Sequence, residues 1–304
     1  MSILPTISII TAHIFSLAVS LRDPMKKFKS RMLLCSWSLM AGLVFTVLPL
    51  NVNADSQSVS SMDMDITTAV NLSGRQRMLS QRMVKAYLML GQGIATDDAR
   101  TILQKSVDQF EFQLAKLKTF QPTPKVRSTL ATLDFEWAKF KPLISATPSK
   151  TGAIALYDAN EALQNAAHNV TLAYDDVTIE PLDHLVNLAG RERMLSQRTA
   201  KFFLYRTWDL YLEPADMEMH LSRAHFTAVL IQIESSPRAT TQIKKLVAKI
   251  RSEWEPYKEA LLISREPEKM RSNSKRVAEL SEQLLASTEE LVTLIVDQAK
   301  KRHN

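Results

Sequence analysis

The sequence predicts an all-α protein made of two tandem antiparallel four-helix up-down bundles. Only 6 glycines and 12 prolines occur in 304 residues, and 45% of the residues are hydrophobic, a composition typical of a mostly helical chain. Alternating β-branched runs, which mark strands, are nearly absent beyond the first fifty residues. A stretch at residues 71–90 returns at residues 187–206 with 12 of 20 positions identical and an offset of 116. Such repetition predicts two copies of one structural unit.

Residues 1–54 have the pattern of an N-terminal extension followed by a signal peptide or a signal anchor. A cluster of Lys and Arg follows Met25, which we interpret as the true start, and residues 32–50 are apolar. Val52-Asn53-Ala54 is a small-residue cleavage site, and cleavage there predicts a periplasmic protein. Without cleavage, the run of about 19 residues anchors the chain in the inner membrane with the bundles in the periplasm. The single cysteine, Cys35, lies in this run, so the mature chain has no disulfide or thiol chemistry.

The charge balance excludes a nucleic-acid binder. The whole chain has a formal net charge of +6. Residues 1–54 hold five Lys or Arg and one Asp, which leaves 33 basic and 31 acidic residues and a net charge near +2 in the mature part. A balanced, exported chain without a recognition motif does not carry the basic surface that nucleic acid requires.

The first repeat is predicted to span residues 55–180. Its motif helix begins near Met64 and ends near Gly91, and an N-cap cluster at residues 96–98 begins the second helix. The Pro-rich residues 121–124 precede the third helix, and the fourth begins near Gly152. Four helices with short connections predict an up-down bundle. The inward stripes are Leu72, Leu79, Met83, Ala86 and Leu90, then Leu103, Val107, Phe110, Leu114 and Leu117, then Val126, Leu130, Leu133, Trp137 and Phe140, and finally Leu156, Leu163, Ala167, Val170, Tyr174 and Val177.

The second repeat is predicted to span residues 181–304 with the same order of elements. Pro181 lies in the first turn of its motif helix, which runs to about Tyr211. The next helix stops at Ser236-Pro237, and a loop at residues 265–268 precedes the last helix. The inward stripes are Phe226, Val229 and Ile233, then Ile243, Val247, Ile250, Trp254, Tyr257 and Leu261, and finally Leu280, Leu284, Leu291 and Leu294.

Each motif helix carries a second seam with a polar centre. In the first copy Gly74, Arg77 and Gln81 follow one another at helical spacing, and Gly190, Arg193 and Gln197 repeat them. Glycine inside a helix costs about 1 kcal/mol relative to alanine, so close approach of a backbone or ligand is the usual reason for it. A guanidinium one turn further on offers a planar fork of donors for a small oxyanion.

Because an up-down bundle returns the chain to its starting end, the second motif helix can lie beside the first and run parallel to it. The repeat then forms an intramolecular pseudo-dimer with Arg77 facing Arg193, and a shared anion relieves their repulsion. The competing arrangement is an end-to-end tandem in which each repeat dimerises with a second chain, as a homodimer. Arg75, Arg82 and Lys85, with Arg191, Arg198 and Lys201, are either solvated or paired with carboxylates of neighbouring helices.

The motif N-L-[SA]-G-R-[QE]-R-M-L-S-Q-R resembles the signature of the PilJ-type, NarX-like sensor domain. The resemblance implies a periplasmic four-helix module of the kind found in type IV pilus chemoreceptors and nitrate/nitrite sensor kinases, in chemotaxis and signal transduction. In the nitrate sensors this stretch binds the anion between two parallel subunits, through a Gly that matches Gly74 and Gly190 and an Arg that matches Arg77 and Arg193. Arg75, Arg191, Gln81 and Gln197 depart from the nitrate-sensor pattern, and RQRMLSQR is closer to the pilus-chemoreceptor type.

These observations predict a periplasmic binding module for a small anion, with nitrate or nitrite as candidates. The ligand-binding residues are Gly74, Arg77, Gln81, Gly190, Arg193 and Gln197, with Asn71, Arg75, Asn187 and Arg191 as secondary candidates. No transmembrane run, kinase or methyl-accepting domain follows the last helix, which predicts a module without its own output domain. The alternative is a helical interaction protein that docks onto a membrane chemoreceptor, sensor kinase or type IV pilus component without a small ligand.

Catalytic, cofactor and metal motifs are missing from the sequence. The six histidines lack metal spacing, and His220 and His225 are interpreted as surface residues. No phosphate loop, nucleophile elbow or HExxH occurs, so the sequence predicts no enzyme, no cofactor and no metal. The acidic pairs Asp175-Asp176 and Glu289-Glu290 are interpreted as solvated helix faces.

Overall fold

A computed structural model describes residues 64–264 and 266–303, and within these ranges it confirms an all-α chain. The predictions for the signal segment and for Met25 lie outside the described residues. In chain order the helices are α1 (Ile66–Gly91), α2 (Thr96–Lys118), α3 (Pro124–Ile144), α4 (Lys150–Asp175), α5 (Pro181–Thr207), α6 (Leu212–Ser235), α7 (Thr241–Leu262), α8 (Pro267–Ser272) and α9 (Ser274–His303).

Side-chain caps fix several helix starts. The Asp65 carboxylate accepts a hydrogen bond from the Thr68 amide at 2.6 Å, and the Thr123 hydroxyl accepts one from the Val126 amide at 3.2 Å. Each cap satisfies an amide that has no partner within its own helix. The predicted cap cluster at residues 96–98 is wrong, because Thr96 already lies in the helix and the cap position belongs to Ala95, in the left-handed region with φ 41°.

Two sets of four long helices repeat the same packing. In the first, α1 packs against α2 and α4, and α3 packs against α4; in the second, α5 packs against α6 and α9, and α7 packs against α9. Phe110 stacks on Trp137 at 4.3 Å between ring centroids, and Phe226 stacks on Trp254 at the same distance. The equivalent stacks, at offsets of 116 and 117 in the sequence, show that the repetition continues beyond the motif helices.

The two motif helices, α1 and α5, pack against each other along their length and run parallel. Near their starts the Thr67 hydroxyl donates to the Asp183 carboxylate at 2.6 Å. Near their ends the Thr207 hydroxyl donates to the Gln92 side-chain oxygen at 2.8 Å. Contacts at offsets of 116 and 115 at opposite ends require parallel helices in register. The described chain therefore has the side-by-side arrangement, and not the end-to-end tandem.

Three sequence predictions differ from the structure in the second half and at the join. Helix α5 ends at Thr207 instead of near Tyr211, because Asp209 and Tyr211 take left-handed backbone with φ 57° and 51°. The short helix α8 begins at Pro267, inside the predicted loop at residues 265–268. Val177 was expected in the core but is exposed, because α4 ends at Asp175 and the chain turns away there.

The predicted inward stripes otherwise lie in the core or against it. Leu72, Leu90, Leu103, Val107, Leu280 and Leu294 are partly buried and pack against the core, whereas the remaining members are buried. No helix in the described part of the chain has an apolar stretch long enough to cross a bilayer.

Candidate functional site

Arg77 of α1 and Arg193 of α5 meet at the contact between the motif helices, and both side chains are fully buried. The Nη2 group of Arg77 donates to the Asn187 backbone oxygen at 3.2 Å and to the Asn187 side-chain oxygen at 3.0 Å. In return, Nη2 of Arg193 donates to the Asn71 backbone oxygen at 3.3 Å. Each arginine side chain thus reaches the opposite helix and contacts an asparagine that lies one turn before the glycine of that helix.

The two seam glycines make room for these guanidinium groups. A Cβ atom added at Gly190 would lie 3.3 Å from Nη2 of both arginines, and one added at Gly74 would lie 3.2 and 3.6 Å from them. Both cations are therefore neighbours at one point of the seam. The sequence predicted that a backbone or a ligand closely approaches these glycines. In the structure the approaching groups are the arginine side chains.

Gln81 and Gln197 lie one turn beyond the arginines and are also fully buried. The Gln81 amide nitrogen donates to the Ser80 hydroxyl at 3.3 Å, and that of Gln197 donates to the Ser281 backbone oxygen at 2.9 Å. The side-chain oxygen of each glutamine has no partner among the described residues. The structure thus keeps all six predicted site residues in the buried part of α1 and α5, with the glycines and arginines in direct proximity.

Further along, each motif helix is tied to the last long helix of the other half. Glu282 of α9 accepts a hydrogen bond from Lys85 of α1 at 2.5 Å and from the Arg82 Nε at 3.1 Å. Reciprocally, Glu161 of α4 accepts from Lys201 of α5 at 2.7 Å and from Arg198 at 2.8 Å. We call these two clusters the crossed ion pairs. The sequence left open whether these lysines and arginines are solvated or paired with carboxylates, and the structure shows that they are paired.

The pKa values of both crossed carboxyl groups reflect their surroundings. Burial favours the neutral acid, but the adjacent Lys201 and Arg198 outweigh it and lower the pKa of Glu161 to about 2. Lys85 and Arg82 lower the pKa of Glu282 to about 2 in the same way, against the same effect of burial. Two opposite charges in contact stabilise the ionised form.

The symmetry of the two halves breaks at Glu289. Its carboxylate accepts from Arg193 Nη1 at 3.0 Å and also pairs with Arg75 of the other half. In the first half the equivalent position, 121 residues earlier, is His168, whose Nδ1 lies 3.4 Å from Arg77 Nη1. The same offset relates Glu161 to Glu282 and Asn160 to Ser281. The Asn160 Oδ1 atom accepts a hydrogen bond from Lys201, and the Ser281 hydroxyl accepts one from Lys85.

The two seam arginines therefore differ in charge compensation. Arg193 has a carboxylate in contact, whereas no carboxylate contacts Arg77 within the described ranges. The side chain of Arg191, the counterpart of Arg75, makes no hydrogen bond or ion pair with any described residue. Burial and the nearby cations Arg191 and Arg193 lower the pKa of Arg77 to about 9, with Asp175 acting in the opposite direction.

The neighbouring acids and histidine complete the electrostatics. Asp175 accepts from the Asn187 side-chain nitrogen at 3.0 Å, which orients the amide that Arg77 contacts. Burial, Arg77 and Arg191 lower the pKa of His168 to about 4, so its ring is neutral at pH 7. The prediction of solvated acidic pairs is wrong for Asp175 and Glu289, because both face the seam. Glu290 does lie on the surface, in an exposed pair with Lys249.

Sequence reasoning missed the acceptors Glu161, Glu282 and Glu289 and the substitution of His168 for a carboxylate. The available signal was short: Asn160-Glu161-Ala162-Leu163 and Ser281-Glu282-Gln283-Leu284 share only Glu and Leu. So short a match does not show that α4 and α9 are equivalent.

The fold and the paired seam define a helical module built from two fused units. A family model described as "Type IV pili methyl-accepting chemotaxis transducer N-term", PilJ, matches residues 61–168 and again residues 180–284. The chain belongs to this family, and the two matches confirm the tandem resemblance. No significant match exists among curated proteins or among solved structures. In chemoreceptors the PilJ N-terminal domain is a periplasmic sensory domain, which supports a role in signal detection or docking.

Proposed function

We propose that this protein is a sensory module for a small anion that binds where Arg77 and Arg193 meet between α1 and α5. The observation that carries the proposal is the buried guanidinium of Arg77, which has backbone, amide and imidazole neighbours but no carboxylate contact among the residues that the structure describes. Buried charges in proteins are normally paired with an opposite charge. Arg193, which has Glu289, shows what such pairing looks like in this fold.

The folded protein should have a lower free energy with an anion bound at Arg77 than without one. A buried charge without a counter-ion costs several kcal/mol, and a second cation nearby increases that cost. An anion that contacts Arg77 supplies the missing charge and accepts hydrogen bonds from a planar donor fork. Because the anion binds only when the seam is folded and packed, its binding energy stabilises the α1–α5 contact.

Nitrate and nitrite are the first ligands to test, because planar oxyanions match guanidinium geometry and because the motif resembles the nitrate sensors. Isothermal titration calorimetry and thermal unfolding should be run on wild type, Arg77→Ala and Arg193→Ala. At a ligand concentration of 100 times Kd, binding stabilises the folded state by about 2.7 kcal/mol. Lys249→Ala, which removes an exposed cation, is the matched control and should bind like wild type.

Two results would count against the proposal. One is that no oxyanion raises the melting temperature of the wild-type protein. The other is that anions stabilise wild type, Arg77→Ala and Lys249→Ala equally, which is the signature of a general salt effect.

A second function, docking onto a receptor helix, is favoured by one surface feature. Helix α6 carries exposed apolar side chains at helical spacing. This α6 stripe consists of Met217, Leu221, Ala224, Ala228 and Ile231. At the equivalent positions α2 has Thr101, Lys105, Asp108, Phe112 and Ala115, so the stripe belongs to one half.

The residues of the α6 stripe are spaced by 4, 3, 4 and 3 positions, which is typical of a helix face that packs against another helix. Met217→Lys combined with Leu221→Lys should abolish capture of a membrane chemoreceptor or pilus component from detergent extracts and leave the anion titrations unchanged. Capture that survives both changes would refute this docking surface. Lys105→Glu on the polar counterpart face of α2 is the matched control.

A further inference from the structure

A cavity of about 300 Å³ lies beside the seam, between α4, α5 and α6, with Arg77 of α1 reaching its wall. Its polar lining comes from Arg77, His168, Arg191 and His225, together with two glutamines. Met194, Leu195 and Val229 are among its apolar lining residues. His225 and Ala228 are exposed, so the cavity reaches the surface. Two arginines and two histidines with no acidic lining residue make it a site for negative charge.

The other half of the protein shows how such a charge is held. There the Glu289 carboxylate contacts Arg193 of its own half and Arg75 of the other half. Shifting each residue by its repeat offset turns this set into His168, Arg77 and Arg191, all of which line the cavity. The first set thus carries its carboxylate on the chain, whereas the equivalent set presents its two guanidinium groups to a cavity.

We propose that this cavity binds the carboxylate of a small organic acid, which bridges Arg77 and Arg191 as Glu289 bridges Arg193 and Arg75. The inference rests on the proposed anion-sensing function and names the ligand class and the side of the seam on which it binds. The acid lies to one side of the α1–α5 contact, next to His168.

The size and lining of the cavity favour an organic acid over nitrate. Ligand pockets of about 300–1,000 Å³ hold small organic molecules, and an apolar cavity of about 150 Å³ already accepts benzene. The carboxylate faces the arginines, and a short apolar group faces Met194, Leu195 and Val229. Because His168 is neutral at pH 7, the two guanidinium groups supply the charge and the imidazole supplies a hydrogen bond.

The test uses the whole folded chain and defined probes: acetate, propionate and benzoate, with propionamide as the neutral analogue of propionate. Calorimetry should give one bound acid per chain, and propionamide should not bind. Arg191→Gln should weaken binding of the acids at least tenfold. The matched control is Lys249→Gln, which removes an exposed cation paired with Glu290 away from the cavity, and it should leave the affinity unchanged.

Two exchanges between the halves sharpen the test. His168→Glu supplies the missing carboxylate on the chain, so it should abolish acid binding and raise the melting temperature of the ligand-free protein. Glu289→His removes the carboxylate that pairs with Arg193 and Arg75, so it should lower the melting temperature of the ligand-free protein and leave acid binding in the cavity at one per chain. Circular dichroism on each variant confirms that the helices are intact before binding is compared.

The outcomes separate this inference from the function on which it rests. Acid binding that is indifferent to Arg191→Gln and to His168→Glu overturns the inference. If no organic acid binds but nitrate does, and nitrate binding is lost in Arg77→Ala, the inference is overturned and anion sensing at the seam is preserved. Failure of every oxyanion and every organic acid to bind overturns both proposals.

Discussion

Glu192 is a buried carboxyl group that pairs with no residue in the described part of the chain, at the position where the first half has Gln76. The Gln76 side chain donates a hydrogen bond to the Phe110 backbone oxygen at 3.1 Å. Both oxygens of Glu192 are buried and make no hydrogen bond with any described residue. Burial raises the pKa of Glu192 well above its usual value, so folding favours the neutral acid.

Replacing Glu192 by Gln should stabilise the protein by about 1–3 kcal/mol at pH 7, the usual cost of an unsatisfied buried polar group. Because the folded pKa is raised, the contribution of Glu192 to stability is complete below about pH 4.5 and falls as the pH rises toward the folded pKa. The gain from Glu192→Gln should therefore grow between pH 4.5 and pH 8. Urea unfolding at several pH values measures it.

The reverse exchange is the control for this prediction. Gln76→Glu places a second acid in the same environment and should destabilise the protein with the same pH dependence. A gain from Glu192→Gln that does not change with pH would show that the carboxyl group is already ionised and stabilised in the folded protein.

At the scale of the helices, the crossed ion pairs join the two halves. Lys85 is fully buried, so removing its partner Glu282 leaves a cation without a counter-charge. Breaking a buried pair costs about 3–5 kcal/mol, and the partial exposure of Glu282 reduces this to about 2–3 kcal/mol for Glu282→Gln. Glu290→Gln, which breaks an exposed pair on the same helix, should cost at most about 1 kcal/mol. Chemical denaturation of both variants decides between a structural and a surface role.

Acid should loosen the same contacts. The pKa values of Glu161 and Glu282 are both lowered to about 2, so their contribution to stability is present above about pH 4.5 and is lost as the pH falls toward 2. The melting temperature should fall across this window, and a variant with both Glu161→Gln and Glu282→Gln should show a shallower fall. An unchanged slope in the double variant would assign the acid sensitivity to other groups.

The sequence predicted the helices and their inward faces well, because burial in a bundle leaves a local 3.6-residue period. Trp137, Phe140, Trp254 and Tyr257 are examples that lie in the core as expected. The Gly-Arg seam could also be predicted, since both copies display it within a few residues. The ion-pair acceptors could not be predicted, because Glu282 lies about 200 residues from Arg82 and only the folded arrangement brings the two side chains together.

Whole-molecule behaviour follows from the α1–α5 contact. This contact holds two buried arginines and is flanked by ion pairs from both halves, so neither half keeps its buried charges compensated alone. We expect a single calorimetric unfolding transition with equal calorimetric and van't Hoff enthalpies. Two resolved transitions in wild-type protein would show that the halves unfold independently.

A core substitution in the second half tests the same coupling. Ile250→Ala leaves a cavity in α7 and should cost about 2–5 kcal/mol. If the molecule unfolds as one unit, hydrogen exchange should speed up for the most protected amides of α3, in the other half, as well as for those of α7. Faster exchange confined to α5–α9 would contradict this.

The crossed ion pairs also limit how the two halves can move relative to each other. Sliding α5 along α1 by one turn would move Lys201 by about 5.4 Å from Glu161, and would do the same to Lys85 and Glu282. A piston stroke of that size would break both charge clusters at once. A motion of the two halves that leaves both clusters in contact avoids this loss.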